Sequence, residues 1–176
     1  MTSGREGDKI ECMNTIVIDT SDETTRFGLF QDDKLADKLE WQAHRELSKT
    51  FYLKLDELFE RNNLSYQNID SIIVVRGPGS FTGLRIGIVI VNAFSYALGI
   101  ETAGVVSTPL SFPPASVIPA KAGISSADKL RRESSVQYKK MELEEIYKEG
   151  KKTLKKGQII EPFYGREPNI TTKKKR

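Results

Sequence analysis

Arg76-Gly77-Pro78-Gly79-Ser80-Phe81-Thr82-Gly83-Leu84-Arg85-Ile86-Gly87 is the stretch of this chain best suited to chemistry. Its glycines and proline let a backbone turn tightly and come close to another group. The apolar run Ile72–Val75 leads into it and an apolar helical pattern, Ile86–Leu98, leads out. A glycine-rich turn that opens a helix points bare N–H groups outward, which suits an anion or a close protein contact. Gly77, Gly79, Ser80, Thr82, Gly83 and Arg85 are therefore the candidate phosphate or loop contacts, with Thr82 placed to cap the helix start. The competing reading is a tight connection with Arg85 as a surface charge. Asp19 and Thr20 close a second apolar run, Ile16–Ile18, and form either a second phosphate-contacting turn or a strand end closed by its own side chains.

Other chemistries lack their residues. The chain has one histidine, His44, and one cysteine, Cys12. A zinc or iron site takes three or four ligands, and no paired spacing supplies them. Ser80 has no histidine base near it in sequence, so Ser-His hydrolysis is discounted. No catalytic residue, metal or cofactor is assigned, with weak nucleotide binding left open. His44 stands at the entrance of the first helix, as a capping or surface residue.

The elements that position these residues follow from periodicity. Thr15–Asp19, Thr25–Phe30 and Lys34–Trp41 read as strands, the last two joined by the polar turn Gln31-Asp32-Asp33, a hairpin signal. Residues 45–61 make an amphipathic helix with Leu47, Phe51, Leu55, Leu58 and Phe59 on one stripe. Tyr52 and Leu53 fall off that stripe, a second and weaker apolar surface. Asn62-Asn63 ends the helix. Ile69–Val75 is the next strand, Leu84–Leu98 the next helix, stopped by Gly99, and Thr102–Val106 a fifth strand. This order implies an α/β lobe with a mixed five-stranded sheet and packed helices.

Leu84–Leu98 is apolar or small on nearly every side, so it needs cover all round. The sheet supplies one side. The first helix, a second lobe or another chain must supply the rest. Gly83 and Gly87, four apart, would let another helix approach. The uncharged run Ile86–Ile100 is shorter than the roughly 20 residues that span a bilayer, so no membrane association is expected.

With 176 residues, 38% hydrophobic and 29% charged, the chain suits one domain or two small ones. Residues 1–12 read as a disordered leader, with Met1 and Met13 both possible starts. Residues 13–110 form the lobe. Residues 111–138 are a proline-rich linker or inserted segment. Residues 139–176 hold a short helix, Met141–Leu154, with Leu143, Ile146 and Tyr147 as its apolar stripe, and a basic tail. Net charge is −5 over residues 1–120 and +8 over residues 121–176. A basic end attracts RNA or an acidic partner, or is simply solvated. A lone cysteine and no secretory signal give a cytoplasmic expectation.

Gly77-Pro78-Gly79-Ser80-Phe81-Thr82-Gly83-Leu84-Arg85-Ile86-Gly87 resembles the signature of the bacterial TsaB (YeaZ) family, within the actin-like/Hsp70/sugar-kinase superfamily of ribonuclease H-like fold. The resemblance extends to Ile16-Val17-Ile18-Asp19-Thr20-Ser21, to Gly104-Val105-Val106-Ser107-Thr108, and to the closing Glu161-Pro162-Phe163-Tyr164-Gly165-Arg166-Glu167-Pro168. Val117–Ile124 resembles the peptide of a mobile palindromic element. The family has two lobes, and here the strands of the second are largely missing. In the superfamily an aspartate at the position of Asp19 helps hold a metal-nucleotide, although the glycine that commonly follows it is absent. The family often places a histidine where His44 stands.

The resemblance implies a non-catalytic scaffold. It would activate a TsaD-like subunit in the threonylcarbamoylation of adenosine 37 of tRNA, with a TsaE-like ATPase joining them. It also implies that the two helices of the first lobe make the contact, through Phe51, Leu55, Gly87, Val89, Ile90 and Phe94. Homodimer formation through the same helices and tRNA contact through the basic tail are further expectations. The alternatives are a remnant without function, or a small ATP-binding kinase-like or peptidase-like enzyme of the same superfamily.

Overall fold

The computed structural model describes residues 13–107 and 140–164. The leader, the linker or insert, and the basic tail beyond residue 164 lie outside the described residues. Six strands form one mixed sheet in the order β3-β2-β1-β4-β5-β6. They are β1 (Asn14–Asp19), β2 (Thr24–Gln31), β3 (Lys34–Gln42), β4 (Ser71–Gly77), β5 (Glu101–Val106) and the two-residue β6 (Lys155–Lys156). β1, β4 and β5 run parallel, and β2, β3 and β6 are antiparallel to their neighbours. The mixed sheet expected from sequence is thus present, extended by one short strand.

The β2–β3 hairpin turns on Asp32 and Asp33, with φ of 48° and 68°. Two successive left-handed residues match the twist of the flanking strands, and short polar side chains tolerate that conformation best. Three helices follow: α1 (Leu47–Arg61), α2 (Phe81–Leu98) and α3 (Leu143–Lys151). A short 3-10 turn, His44–Glu46, leads into α1. Asn62 and Asn63 end α1, and left-handed Gly99 ends α2.

Helices cover both faces of the sheet. On one face, Ile16, Ile18, Phe27, Leu29 and Val74 pack against the α1 stripe and against Leu84, Ile88 and Val91 of α2. Leu47, Phe51, Leu55, Leu58 and Phe59 are all buried there. On the other face, Val17, Phe30, Ile73, Val75, Ala103 and Val105 meet Met141, Leu143, Ile146 and Tyr147 of α3 and its approach. The Phe30 and Tyr147 rings stack 4.1 Å apart. Strand alternation delivers the two sets: Ile16 and Ile18 face one way and Val17 the other.

Residues 155–164 close the lobe. β6 pairs with the start of β5. The chain then runs past α2, where Asn92 Nδ2 donates to the Ile160 carbonyl and Ile160 N–H donates to Asn92 Oδ1. Phe163 N–H donates to the Arg76 carbonyl at 2.7 Å. Cover for α2 therefore comes from the sheet, from α1 and from this segment.

Candidate functional site

The glycine turn is built around Thr20 and Ser21. Ser80 N–H donates to the Ser21 carbonyl at 2.7 Å. A side chain at Gly83 would place its Cβ 2.2 Å from the Thr20 carbonyl, and one at Gly87 would lie 2.4 Å from Thr20 Oγ1. These two glycines let α2 press onto the end of β1; they do not seat a second helix. Gly77 has φ +137° and faces the Phe163 carbonyl, so both conformation and space require glycine there. The helix cap is Ser80 and not Thr82: Ser80 Oγ accepts from Gly83 N–H, which starts α2 at Phe81. Thr82 is exposed on the first turn.

Asp19 is committed inside the lobe. Its Oδ2 accepts from Arg26 Nε at 3.2 Å and Nη2 at 2.5 Å, and its Oδ1 accepts from the backbone and hydroxyl of Ser21. Both ionic side chains are almost fully buried. Arg26 also donates to the Met141 carbonyl, tying the pair to the approach of α3. This is a strand end closed by its own side chains, with the charge neutralised internally. Thr20 is buried, and its hydroxyl makes no hydrogen bond.

Arg85 stacks 3.8 Å over the Phe81 ring and donates from Nε to Tyr164 Oη. Phe81 and Tyr164 also touch ring to ring. An arginine held on aromatic faces keeps its charge while its plane is fixed.

A cleft of about 690 Å³ opens between the Asp22–Glu23 turn, the His44–Glu46 turn and the start of α2. Thr25, Leu47, Thr50, Ser80 and Thr82 are among its walls. Gly79 and Asp19 do not line it. Among the described residues, no group of three or more His, Cys, Asp or Glu side chains is spaced to hold a metal ion.

The outer side of α1 and α2 is the other exposed feature. Phe51, Leu55, Gly87 and Ile90, expected at a partner contact, lie in the lobe's own core. Phe94 is partly buried, stacked with Tyr66. Val89 is 66% exposed, and residues the sequence reading did not place in the contact stand with it: Tyr96 at 94%, Leu53 at 67%, Phe81 at 53% and Tyr52 at 46%. Phe81, Arg85, Val89 and Ala93 follow each other at four-residue steps, then Tyr96, forming one ridge along α2. Helical period could have found this ridge once the inward side was fixed by Leu84, Ile88 and Val91. α2 is also long and apolar enough, by length and composition, to cross a membrane, with a mean hydropathy of 1.5; here it packs on the sheet.

Comparison with known proteins adds a family context. A family model described as TsaD, tRNA N6-adenosine threonylcarbamoyltransferase, matches residues 41–112. The tRNA threonylcarbamoyladenosine biosynthesis protein TsaB of Bacillus subtilis (strain 168) is 27% identical over 95 residues, covering 54% of this chain and 42% of that protein. The solved structure of YeaZ from Pseudomonas aeruginosa is similar with a TM-score of 0.51 at 24% identity, covering 55% of this chain and 45% of that one. A second structure, described as an uncharacterized protein with similarity to peptidase YeaZ from Pseudomonas aeruginosa, gives a TM-score of 0.52 at 24% identity, covering 55% and 44%. The chain spans less than half the length of each of these relatives.

Proposed function

We propose that this TsaB/YeaZ-like chain serves tRNA threonylcarbamoyladenosine biosynthesis as a non-catalytic partner of a TsaD-like subunit. The observation that carries the reading is the open apolar ridge of α2, flanked by Tyr52 and Leu53 of α1. From Phe81 to Tyr96 it runs about 22 Å along the helix axis. That length suits a standard interface, which buries about 800 Å² on each partner. Tyrosine and phenylalanine beside an arginine are the residue types that anchor such interfaces. Among the described residues, the chain's own segments cover the other sides of α2; Tyr164 touches the ridge at Phe81 and Arg85, and Val89, Ala93 and Tyr96 stay open.

The comparisons support the choice of partner. The TsaD family model matches the stretch that contains both helices, and the matched relative is a TsaB protein. Two proteins built on related lobes can pair through corresponding helical faces, much as identical copies pair about a two-fold axis. In this reading Asp19 and the glycine turn keep the lobe in shape and have no catalytic part. The same reading places the chain in the cytoplasm, with a TsaE-like ATPase joining the pair.

Co-expression with a TsaD-like protein from the same source, followed by purification through a tag on one of them, tests this directly. Recovery of both is expected, and Val89→Glu or Tyr96→Glu should abolish it while leaving the lobe folded. A charge at Ile90 would be uninformative, because that side chain is buried. Absence of co-purification sinks the reading. Two copies of this chain in solution, with the ridge buried between them, would favour a homodimer instead.

A further inference from the structure

We propose that the cleft between the Asp22–Glu23 turn and the starts of α1 and α2 binds a small zwitterion, a molecule that carries a carboxylate and an ammonium group close together. The site lies at the start of α2, beside the first residue of the ridge, and asks nothing of a partner.

Three observations converge on it. The first is the start of α2. Ser80 Oγ occupies the Gly83 N–H, and the amides of Phe81 and Thr82 have no acceptor among the described residues. An 18-residue helix presents partial positive charge at that end, which favours a carboxylate.

The second is Thr25. Strand alternation puts its side chain with Phe27 and Leu29 on the α1/α2 side of the sheet, at the floor of the cleft. The residue is 1% exposed, and its hydroxyl makes no hydrogen bond. A buried hydroxyl without a partner costs free energy, so its position over a cleft calls for a polar group from outside the chain.

The third is the charge pattern. Asp22, Glu23 and Glu46 all border the cleft, together with Arg45. Asp22 faces Lys140 at 3.5 Å and Glu46 faces Lys49 at 3.6 Å. Glu23 makes no ion pair among the described residues. A phosphate dianion would meet these carboxylates at close range and be repelled. A zwitterion resolves the conflict: its carboxylate sits at the helix start and its ammonium group faces Glu23.

Titration of the full chain with glycine, followed by amide resonances, tests the site. Glycine should saturably shift the Phe81 and Thr82 amides. It should also change the emission of Trp41, whose Nε1 donates to Thr50 on the cleft wall. Thr25→Val keeps the shape and removes the hydroxyl. It should weaken glycine binding about fivefold to tenfold without lowering the unfolding midpoint, and Thr25→Ser should retain binding. Glu23→Gln should weaken glycine but not acetate. No saturable shift with glycine overturns the proposal, as does inorganic phosphate or acetate binding as tightly as glycine. Unchanged affinity in Thr25→Val overturns it too.

Discussion

Asn92 holds Ile160 as a neighbouring strand would: its side-chain amide donates to the Ile160 carbonyl at 3.0 Å and accepts from the Ile160 N–H at 2.9 Å. One side chain thus satisfies both backbone groups of a residue 68 positions away. Asn92→Leu leaves both groups of Ile160 without these partners. The expected loss is about 1–3 kcal/mol of stability, read from a denaturant midpoint. Faster amide exchange confined to residues 158–163 should accompany it. Unchanged exchange there would show that the segment is held by other contacts.

The Asp19–Arg26 pair is buried and has no solvent to fall back on. Asp19→Asn leaves a guanidinium unpaired in the core and should cost about 3–5 kcal/mol. A paired replacement, Asp19→Leu with Arg26→Met, should recover most of that loss, because two apolar side chains need no partner. Chemical denaturation of the three variants decides it. Equal losses in the single and double variants would mean that the pair's other hydrogen bonds, to Ser21 and Met141, matter more than its charge.

Gly83→Ala and Gly87→Ala both drive a methyl group into Thr20, which is fully buried. Overpacking of this kind costs about 1–3 kcal/mol. The two sites differ in what they meet. Gly83 faces the Thr20 backbone carbonyl and Gly87 faces its side chain. Thr20→Ala should therefore rescue Gly87→Ala and leave Gly83→Ala unrelieved, a non-additivity that thermal unfolding can read.

Tyr66 lends the lobe an alkaline limit. Burial, then the hydrogen bond its hydroxyl donates to Asp56, pushes its pKa well above the usual tyrosine value. The neutral form is favoured in the fold, so this contribution is complete below about pH 10 and is lost as the pH rises through the folded value. Tyr66→Phe should flatten the fall in unfolding midpoint above pH 10. An unchanged alkaline limb would assign it to another group, with Tyr147, also raised by burial and then by Asp33, the first to examine.

Asp33 sets a limit on the acid side. Hydrogen bonds from Lys151 and Tyr147 hold its carboxyl below the ordinary value. Stability from this contact is present above the unfolded value of about 4 and is lost as the pH falls through the folded one. Asp33→Asn should thus reduce the difference in midpoint between pH 6 and strongly acidic solution. A difference as large as before would remove Asp33 from the acid response.

Most elements were legible from period alone. The α1 stripe of Leu47, Phe51, Leu55, Leu58 and Phe59 is the buried stripe. Leu143, Ile146 and Tyr147 form the inner side of α3. Tyr52 and Leu53, read as a second apolar surface, are exposed. What period does not tell is which side of an all-apolar helix meets the sheet. Gly87 and Ile90 therefore turned inward, Phe51 and Leu55 lie on the α1 stripe that period itself marks as buried, and Val89 alone of the expected contact residues stands well out. The glycine turn was legible as a close approach, but its neighbour, Thr20, is more than fifty residues away and leaves no local trace. Asn92, a polar residue within the uncharged run Ile86–Ile100, is the clamp on Ile160, a role that no local pattern shows.

The outer edge of β5 has a bearing on how the lobe is made. Among the described residues its start pairs on that side with Lys155 and Lys156, and Thr102 beside it donates to the Gln158 carbonyl 56 positions on. During synthesis β1 to β5 leave the ribosome before residues 155–158, the segment that pairs with that border. A product cut short by stalling before residue 155 would carry an unsatisfied rim that invites proteolysis or clumping. Closure of that rim thus waits on residues 155–158.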